Sequence, residues 1–298
     1  MPILECVPNF SEGRDKSKIE QILHYVRAAA EVDVLDLHSD PDHNRSVLTM
    51  TGESEHVVNA AFALTEKAAE LININKHTGV HPFIGAVDVI PFIPVKGTTM
   101  AHASKAAVDV SMRIWNELKI PIYLYGEASF IPHRSNLANV RRGGLKVLRE
   151  EIETEERHPD IGDPKLHPRA GAVAVGARNF LIAFNVNLDS KDLALAKEIA
   201  KSIREKHGGL AGVKALGVPL ESRGGIVQVT VNITDHQETS IKDVFNSIRS
   251  KAKARGVQVL ESELVGLIPE DAAFPHMDKY LKLKEFDESK ILTIPGNP

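Results

Sequence analysis

Cysteine, aromatic residues and long apolar runs are all scarce in this sequence. Cys6 is the single cysteine among 298 residues, which excludes an internal disulfide and a cysteine-rich zinc site. No segment stays apolar over the roughly 18 residues that a membrane-spanning helix requires. The first residues also lack the basic region and apolar stretch of a signal peptide. These absences predict a cytoplasmic protein with no membrane partner, in which Cys6 is an inert core residue of the opening strand.

The sequence also lacks an excess of positive charge. Its formal net charge of −4 argues against bulk binding of nucleic acid, which needs a basic face to displace counterions. One local exception is a basic cluster that is either a solvated helix face or an anion site, formed by Arg134, Arg141, Arg142 and Lys146. With 43% hydrophobic residues, the chain can form one large globular domain or two moderate ones.

Hydrophobic periodicity predicts the same order of elements, β-α-β-β-α-β, in each half of the chain. In the first half, the predicted elements are Ile3–Pro8, Asp15–Ala29, Val32–Leu37, Ser46–Thr51, Glu53–Leu71 and Ala86–Ile93. A further helix and strand follow at Ala101–Leu118 and Pro121–Tyr125, and then a polar, basic region at Pro132–Ile161. In the second half, the predicted elements are Phe180–Val186, Ser190–Lys206, Val213–Val218, Gly225–Ile233, Ile241–Arg255 and Val257–Glu263.

This repeat predicts two related layers, each with its helices on one face of a sheet, with domain boundaries at residues 1–177 and 178–298. We expect the tail from Pro275, which is charged and then proline-rich, to lie on the surface.

The most informative stretch runs from His77 to Val95. Gly79 permits a positive φ and Pro82 favours an extended backbone at His81, so this loop can hold an imidazole at the edge of a sheet. Asp88 lies in the apolar strand that follows and must be paired or hydrogen-bonded there. His81 and a buried acid could form a proton-transfer pair, although a structural turn fits the same residues. Gly79 and Pro82 disfavour the helix that would make His77 and His81 metal ligands, so no metal is predicted.

Two other loops carry polar side chains at strand ends. Asn9 follows the first predicted strand, and such positions often contact ligands in α/β proteins. Arg45 follows Asp40 and Asp42 in a loop between two strands. Its planar guanidinium suits a carboxylate, either of a substrate or of one of these two aspartates.

Five ordered motifs together resemble a known family: C-V-P-N-F-S-E-G-R at Cys6–Arg14, D-P-D-H-N-R-S at Asp40–Ser46, H-T-G-V-H-P-F-I-G-A-V-D-V-I-P-F-I-P-V at His77–Val95, I-Y-L-Y-G-E-A at Ile122–Ala128, and G-A-V-A-V-G-A-R-N-F-L-I-A-F-N-V-N-L at Gly171–Leu188. The family is glutamate formimidoyltransferase (glutamate formiminotransferase), the transferase part of formiminotransferase–cyclodeaminase. The resemblance covers the chain to about residue 270 and leaves no sequence for a cyclodeaminase domain.

The resemblance implies a fold, an activity and a set of site residues. The fold would be α+β, with two ferredoxin-like (βαββαβ-type) subdomains, the first extended by an extra helix and strand. The activity would be transfer of a formimidoyl group from N-formimidoyl-L-glutamate to the co-substrate tetrahydrofolate in histidine degradation, by a homodimer. His81 would be the catalytic acid/base. The folate-binding loop would comprise Gly162, Asp163, Pro164, Lys165, Leu166, His167, Pro168, Arg169, Ala170 and Gly171.

Some assignments remain open at this stage. Animal members end the folate loop in a Ser-Trp-Gly-like triplet, whereas Arg169-Ala170-Gly171 stands here. Both substrates are anionic, and the candidate cations are Arg45, Lys165, Arg169 and Arg178. Asn9 and Asp88 are candidates to orient His81, with Asp40 a further supporting residue. The alternatives are formyl transfer between 5-formyltetrahydrofolate and glutamate, formimidoyl transfer from formimidoylglycine, a non-catalytic folate-binding module, and an RNA-associated domain, which the acidic balance disfavours.

Overall fold

Several helices in this chain begin at residues whose side chains cap them. In the computed structural model, which describes residues 2–95 and 97–292, Asp15 accepts a hydrogen bond from the backbone N–H of Lys18 and so caps the first helix. The buried residues of that helix recur at helical spacing, at Ile19, Ile22 and Val26. One apolar face of the helix therefore packs against the sheet.

The chain divides between Arg178 and Asn179 into two units, and the first is built on one seven-stranded sheet. Its strands are β1 (Ile3–Cys6), β2 (Asn9–Phe10), β3 (Asp33–Asp40), β4 (Arg45–Glu53), β5 (Val87–Pro94), β6 (Ile122–Gly126) and β7 (Val173–Ala177). Its helices are α1 (Lys16–Ala29), α2 (Ser54–Leu71), α3 (Met100–Leu118), α4 (Leu137–Val140) and α5 (Gly144–Glu151), with 3₁₀ helices at Ile74–Lys76, Pro132–Ser135 and Glu155–Arg157.

The first sheet confirms the predicted order of elements and adds two strands, the short β2 and β7. Strands β3, β4, β1 and β5 are neighbours in that order and antiparallel, with β2 also pairing with β4 and β5. The added strand β7, which was not predicted, pairs parallel with both β5 and β6. The extra helix and strand expected after β5 are α3 and β6.

The two faces of this sheet differ. Helices α1–α3 cover one face, and that core includes Leu4 and the predicted core residue Cys6. Opposite them, a smaller apolar cluster lies under α4 and α5 and contains Val89, Tyr123 and Leu148. Helices therefore pack on both faces, not on one as predicted. Because side chains alternate along a strand, the residues between the apolar ones of β1 and β4 point to this second face.

The second unit repeats the β-α-β-β-α-β order, so the predicted α+β class is confirmed in both units. Its elements are β8 (Ile182–Leu188), α6 (Leu193–Ile203), β9 (Val213–Leu220), β10 (Ile226–Ile233), α7 (Ile241–Ala254), β11 (Val259–Val265), β12 (Ile268–Pro269), α8 (Met277–Leu281) and β13 (Ile291–Leu292), with 3₁₀ helices at Glu205–His207, Glu221–Arg223, Glu270–Ala272 and Glu288–Lys290. The main sheet has the antiparallel order β11-β8-β10-β9.

The prediction of a surface tail from Pro275 is wrong for its first part. Helix α8 buries Met277 and Leu281 in the core of the second unit, and β13 pairs parallel with β12. The charged residues around them hid these few apolar anchors in the sequence. The proline-rich end, residues 293–298, lies outside the described residues. Within the described ranges, no helix combines the length and apolarity needed to cross a membrane.

Candidate active site

Three loops singled out in the sequence come together at one edge of the first sheet. The side chain of Asn44 joins them: its Oδ1 accepts from the backbone N–H of Gly13 at 2.9 Å, and its Nδ2 donates to the carbonyl of Thr78 at 2.9 Å. Arg14 adds a bond from Nε to the carbonyl of Pro41 at 2.7 Å. The loops after β2, between β3 and β4, and before β5 are therefore one hydrogen-bonded assembly.

Two glycines let these loops approach closely. A Cβ atom at Gly79 would lie 2.3 Å from the carbonyl oxygen of His43, and one at Gly13 would lie 2.2 Å from that of Asp40. Any other residue at either position would push the loops apart. Gly79 is thus required for close contact between the loops and not, as the sequence predicts, for a positive φ.

His81 is held with one nitrogen free to act as a base. Its Nδ1 lies 2.7 Å from the carbonyl oxygen of Pro82, and because a carbonyl can only accept, Nδ1 carries the proton. The Nε2 lone pair of the neutral ring is then available. Burial lowers the pKa of His81 well below its usual value, and the charges of Arg45 and Arg141 lower it further. His81 is therefore neutral at pH 7.

Asp88 is the buried acid predicted in β5, and it is fully compensated. Its Oδ2 pairs with Nη1 of Arg45 at 2.7 Å and with the guanidinium of Arg141, while its Oδ1 accepts from the backbone N–H of Ile84 at 2.9 Å. Burial alone would raise the pKa of Asp88, but the two arginines outweigh it and the pKa lies below its ordinary value. Two guanidinium groups facing one carboxylate leave a net positive charge beside His81.

The structure corrects two predicted pairings. Within the protein, Arg45 pairs with Asp88, whereas Oδ1 of Asp40, one of the two aspartates predicted for an internal ion pair, accepts from the backbone N–H of His43 at 2.7 Å. In the described part of the chain, no hydrogen bond joins Asp88 to His81, so Asp88 acts on the imidazole through the arginines. Burial lowers the pKa of Arg45 to about 10, although the negative charge of Asp88 acts to raise it.

Asn9 also belongs to this group, because its Oδ1 accepts from Nε of Arg45 at 3.0 Å and its Nδ2 donates to the carbonyl of Val7 at 2.7 Å. Asn9 therefore orients Arg45, and among the described residues no hydrogen bond joins it to His81.

The predicted folate loop lies next to the His81 loop. The backbone N–H of Ala86 donates to the carbonyl of Ala170 at 2.8 Å, and that of Ala172 donates to Ile84 at 3.0 Å. His167 Nδ1 accepts from the backbone N–H groups of Arg169 and Ala170, at 3.3 and 2.9 Å, which fixes the turn. Glycines at both ends of the loop have positive φ angles, 105° at Gly162 and 75° at Gly171.

This loop forms one wall of a cavity of about 280 Å³. Among the lining residues, apolar side chains come from Ile74, Leu145, Ile152 and Leu166, and cations come from Arg149 and Lys165. Arg169 does not line the cavity, because its guanidinium donates to the carbonyl of Glu70 at 3.0 Å. Asp163, Pro164 and Pro168 are exposed.

Arg178 directly follows the last residue of β7, the strand that lies between β5 and β6. It is half-buried, not solvent-facing, and it donates a hydrogen bond to the hydroxyl of the buried Tyr125.

The basic cluster of the sequence divides among three roles. Arg141 faces Asp88 and His81, and its Nε has no acceptor in the described part of the chain. Arg134 is a structural residue whose guanidinium donates to the carbonyl of His158 at 2.7 Å. Arg142 pairs on the surface with Glu151 at 2.9 Å. The sequence alone does not distinguish Arg141 from the other members of this cluster, because they carry the same charge.

His43 was also missed, and its ring lies 5.8 Å from that of His81 between centroids. It follows Asp42 directly, in a loop already singled out. His77 is a structural residue: its Nδ1 lies 3.3 Å from Nδ2 of Asn44, and its ring packs edge-on against Phe83 at 4.5 Å. Within residues 2–95 and 97–292, no three His, Cys, Asp or Glu side chains are grouped to hold a metal ion.

A neutral histidine with Nε2 available, next to a group of net positive charge, is able to move a proton beside a bound anion. The first unit matches the family model described as "Formiminotransferase domain, N-terminal subdomain" over residues 3–178, and the second matches "Formiminotransferase domain" over residues 183–292. The chain belongs to the formiminotransferase family and is a transferase.

Curated relatives support this assignment. The glutamate formimidoyltransferase of Thermoplasma acidophilum is 44% identical over 98% of this chain and 96% of that protein. The glutamate formimidoyltransferase of Streptococcus pyogenes serotype M1 is 42% identical over 97% of this chain and 96% of that protein. The formimidoyltransferase-cyclodeaminase of Rattus norvegicus is 38% identical over 93% of this chain and 53% of its own length. The resemblance seen in the five motifs is thus confirmed.

Proposed function

We propose that this chain transfers the formimidoyl group from N-formimidoyl-L-glutamate to tetrahydrofolate, giving 5-formimidoyltetrahydrofolate and L-glutamate. The names of two relatives that align over nearly the full chain support the donor. The observation that carries the chemistry is the 2.7 Å contact between His81 Nδ1 and the Pro82 carbonyl oxygen, which assigns the proton to Nδ1 and leaves Nε2 as a base beside Arg45 and Arg141. We also infer, from the family resemblance, a cytoplasmic homodimer.

The proposed reaction needs one proton carrier. The folate N5 attacks the formimidoyl carbon and forms the new C–N bond, and Nε2 of His81 removes the N5 proton. When the bond from that carbon to the glutamate nitrogen breaks, the imidazolium returns the proton to the leaving nitrogen. The depressed pKa of His81 favours this return, because the charged ring is disfavoured where it stands. Holding both substrates in contact supplies a further part of the acceleration.

Charge supports the proposed binding of the donor. The group of Arg45, Arg141 and Asp88 carries a net charge of +1, which suits a substrate carboxylate. A carboxylate placed there would offset the arginines and raise the pKa of His81, so donor binding would make the base stronger. The cavity bounded by Leu166 and Lys165 is proposed to hold the aminobenzoyl-glutamate end of tetrahydrofolate, with apolar walls for its ring and the cations of Arg149 and Lys165 for its carboxylates.

Turnover by the purified wild-type chain tests this function. Tetrahydrofolate is supplied with N-formimidoylglutamate or with formimidoylglycine, and release of the free amino acid is followed. A third assay supplies 5-formyltetrahydrofolate and glutamate and follows N-formylglutamate. We expect turnover with formimidoylglutamate at least tenfold above the other reactions. A preference for another donor would overturn the assignment, and tetrahydrofolate binding without any turnover would show a binding module.

A further inference from the structure

Glu5 is a buried acid that the proposed proton transfer does not use. It lies in β1, where Leu4 and Cys6 point into the helix-covered core, so Glu5 points to the second face of the sheet. It is 4% exposed, and in the described part of the chain its Oε2 has no hydrogen-bond partner. Buried polar atoms are nearly always paired in native proteins, so an unpaired carboxylate oxygen calls for an explanation.

Thr49 is a second unpaired polar group on the same face. It is 1% exposed, and its hydroxyl has no hydrogen-bond partner among the described residues. Glu5 pairs in register with Thr51 of β4, two positions from Thr49, and both threonines point the same way as Glu5. Two neighbouring strands thus bring an unpaired carboxylate oxygen and an unpaired hydroxyl to one place.

Glu5 and Thr49 lie on the same side of the sheet as Arg45, which pairs with Asp88 next to His81. Asn9, which orients Arg45, is four residues from Glu5, or about 13 Å at ~3.3 Å per residue. Tyr125 and Arg178 lie at the same end as Glu5, with the Arg178 charge acting on the Glu5 carboxyl. Burial raises the pKa of Glu5 to about 7, and Arg178 only partly offsets this. A ligand that supplies N–H donors would meet an acceptor with no competing protein donor at Oε2.

We propose that Glu5, assisted by Thr49, binds a planar N–C–N edge of a substrate through its N–H groups. A carboxylate accepts two parallel N–H bonds from such an edge, as it does from arginine. This inference rests on the proposed function, whose substrates offer two such edges. One is the protonated formimidoyl group of the donor, and the other is the amino-pyrimidinone edge of tetrahydrofolate. The Thr49 hydroxyl can accept a further N–H or donate to the adjoining carbonyl.

The test measures ligand binding to Glu5→Gln beside the wild type, by calorimetry. Glutamine keeps the size of the side chain but loses the charge and one acceptor. Tetrahydrofolate and N-formimidoylglutamate are titrated separately, which distinguishes the two edges. We expect a roughly 10- to 100-fold rise in Kd for one of them. Loss for tetrahydrofolate alone assigns the pyrimidinone edge, and loss for formimidoylglutamate alone assigns the formimidoyl group.

Two analogues make the test specific for the N–H edge. A 2-desamino-2-methyl tetrahydrofolate lacks one donor of the ring edge, and N-formylglutamate replaces the terminal nitrogen of the donor by oxygen. The wild type should discriminate against the relevant analogue, and Glu5→Gln should lose that discrimination, since both changes remove the same contact. Equal weakening of both substrates with discrimination retained would overturn the proposal, as would Kd values within twofold of the wild type.

Controls separate binding from folding and from catalysis. Glu53→Gln, in the neighbouring strand β4, should leave both Kd values unchanged, and Thr49→Val should weaken the same substrate as Glu5→Gln but less. Glu5→Gln should also unfold at an unchanged or higher temperature at pH 8, whereas loss of a structural residue would lower it. If Glu5→Gln weakens binding but the wild type shows no turnover, the proposed function fails and this inference stands. A wild type that binds neither substrate overturns both.

Discussion

Two carboxylates on one sheet have opposite surroundings. Asp88 and Glu5 are both buried in neighbouring strands of the first unit, at 0% and 4% exposure. Asp88 meets two arginines and a backbone N–H, and its pKa is lowered. Glu5 has an oxygen without a partner in the described chain, and its pKa is raised to about 7. Burial alone therefore does not determine the charge of an acid, because the donors around it do.

The contrast separates two kinds of polar group. The Asp88 group is complete within the protein, so it can hold Arg45 and Arg141 in place before any substrate arrives. The Glu5 group is incomplete, which is what a binding site requires of its protein half. In the second unit, Glu263 resembles Asp88, because its Oε1 already accepts from Asn185 at 3.0 Å and from Gln228 at 2.8 Å.

The largest effect on stability is expected when Asp88 loses its charge and no longer compensates Arg45 and Arg141. Asp88→Asn keeps the shape of the side chain but leaves two buried guanidinium groups without a counter-charge. We expect a loss of about 3–5 kcal/mol in the free energy of unfolding, measured in urea. The matched control is Asp109→Asn, which removes an exposed pair with Lys105 and should cost less than about 1 kcal/mol. Equal losses would mean that the Asp88 group is not a compensated buried one.

Glu5→Gln tests whether the raised pKa of Glu5 makes the free energy of unfolding depend on pH. The Glu5 pKa is raised from 4.5 to about 7 by folding, so the folded chain holds its proton more tightly than the unfolded chain. The contribution of Glu5 to stability is greatest below pH 4.5, falls as pH rises to 7, and is then lower by roughly 3 kcal/mol. Glu5→Gln should remove this fall in urea unfolding at pH 5 and pH 8. Asp88 acts with the other sign, because its contribution is lost as pH falls through its lowered pKa.

A smaller loss of stability is expected where the loop before β5 approaches the loop between β3 and β4. Gly79→Ala would bring a Cβ within 2.3 Å of the His43 carbonyl oxygen, and we expect a cost of about 1–3 kcal/mol. Gly52→Ala is the control, since its nearest atom outside the chain neighbours lies at 3.3 Å. Thermal unfolding of both variants measures the difference, and equal midpoints would show that the loops can separate without cost.

The smallest expected effect is a shift in pH dependence. With the His81 pKa well below 6.5, kcat/KM of the wild type should stay level as pH falls to 6.5. Arg141→Gln removes one cation that lowers this pKa, so the acid limb should move to higher pH by less than roughly one unit. Arg142→Gln, one residue away and on the surface, should leave the profile unchanged. Identical profiles for the two variants would remove Arg141 from the electrostatics of His81.

Local sequence patterns predicted most of the fold, because helical and alternating apolar spacing is retained in the final elements. Strand β7 was not predicted, because the small residues of Val173–Ala177 carry little strand signal. Its pairing with β5 and β6 is set by tertiary structure. Helix α8 escaped because its few anchors, Met277 and Leu281, are separated by charged residues.

The sequence predicted which loops form the candidate site, but it did not predict which side chains pair with each other there. His81, Asn9, Arg45 and Asp88 were singled out from loop and strand positions. The alternative of an ion pair between Arg45 and an aspartate of its own loop was wrong. Its partner Asp88 is distant in sequence and becomes a neighbour only when the sheet forms. The role of Glu5 had no local signal, because an acid in a short apolar strand does not show whether donors will face it.

The most direct test of the account compares the wild type with His81→Ala in tetrahydrofolate-dependent turnover of N-formimidoylglutamate, with tetrahydrofolate binding measured on both. The account predicts that kcat falls by about 10²–10⁴-fold while the Kd for tetrahydrofolate stays within threefold, because only the proton carrier is lost. A variant that turns over at the wild-type rate would contradict the assignment of His81 as the proton carrier.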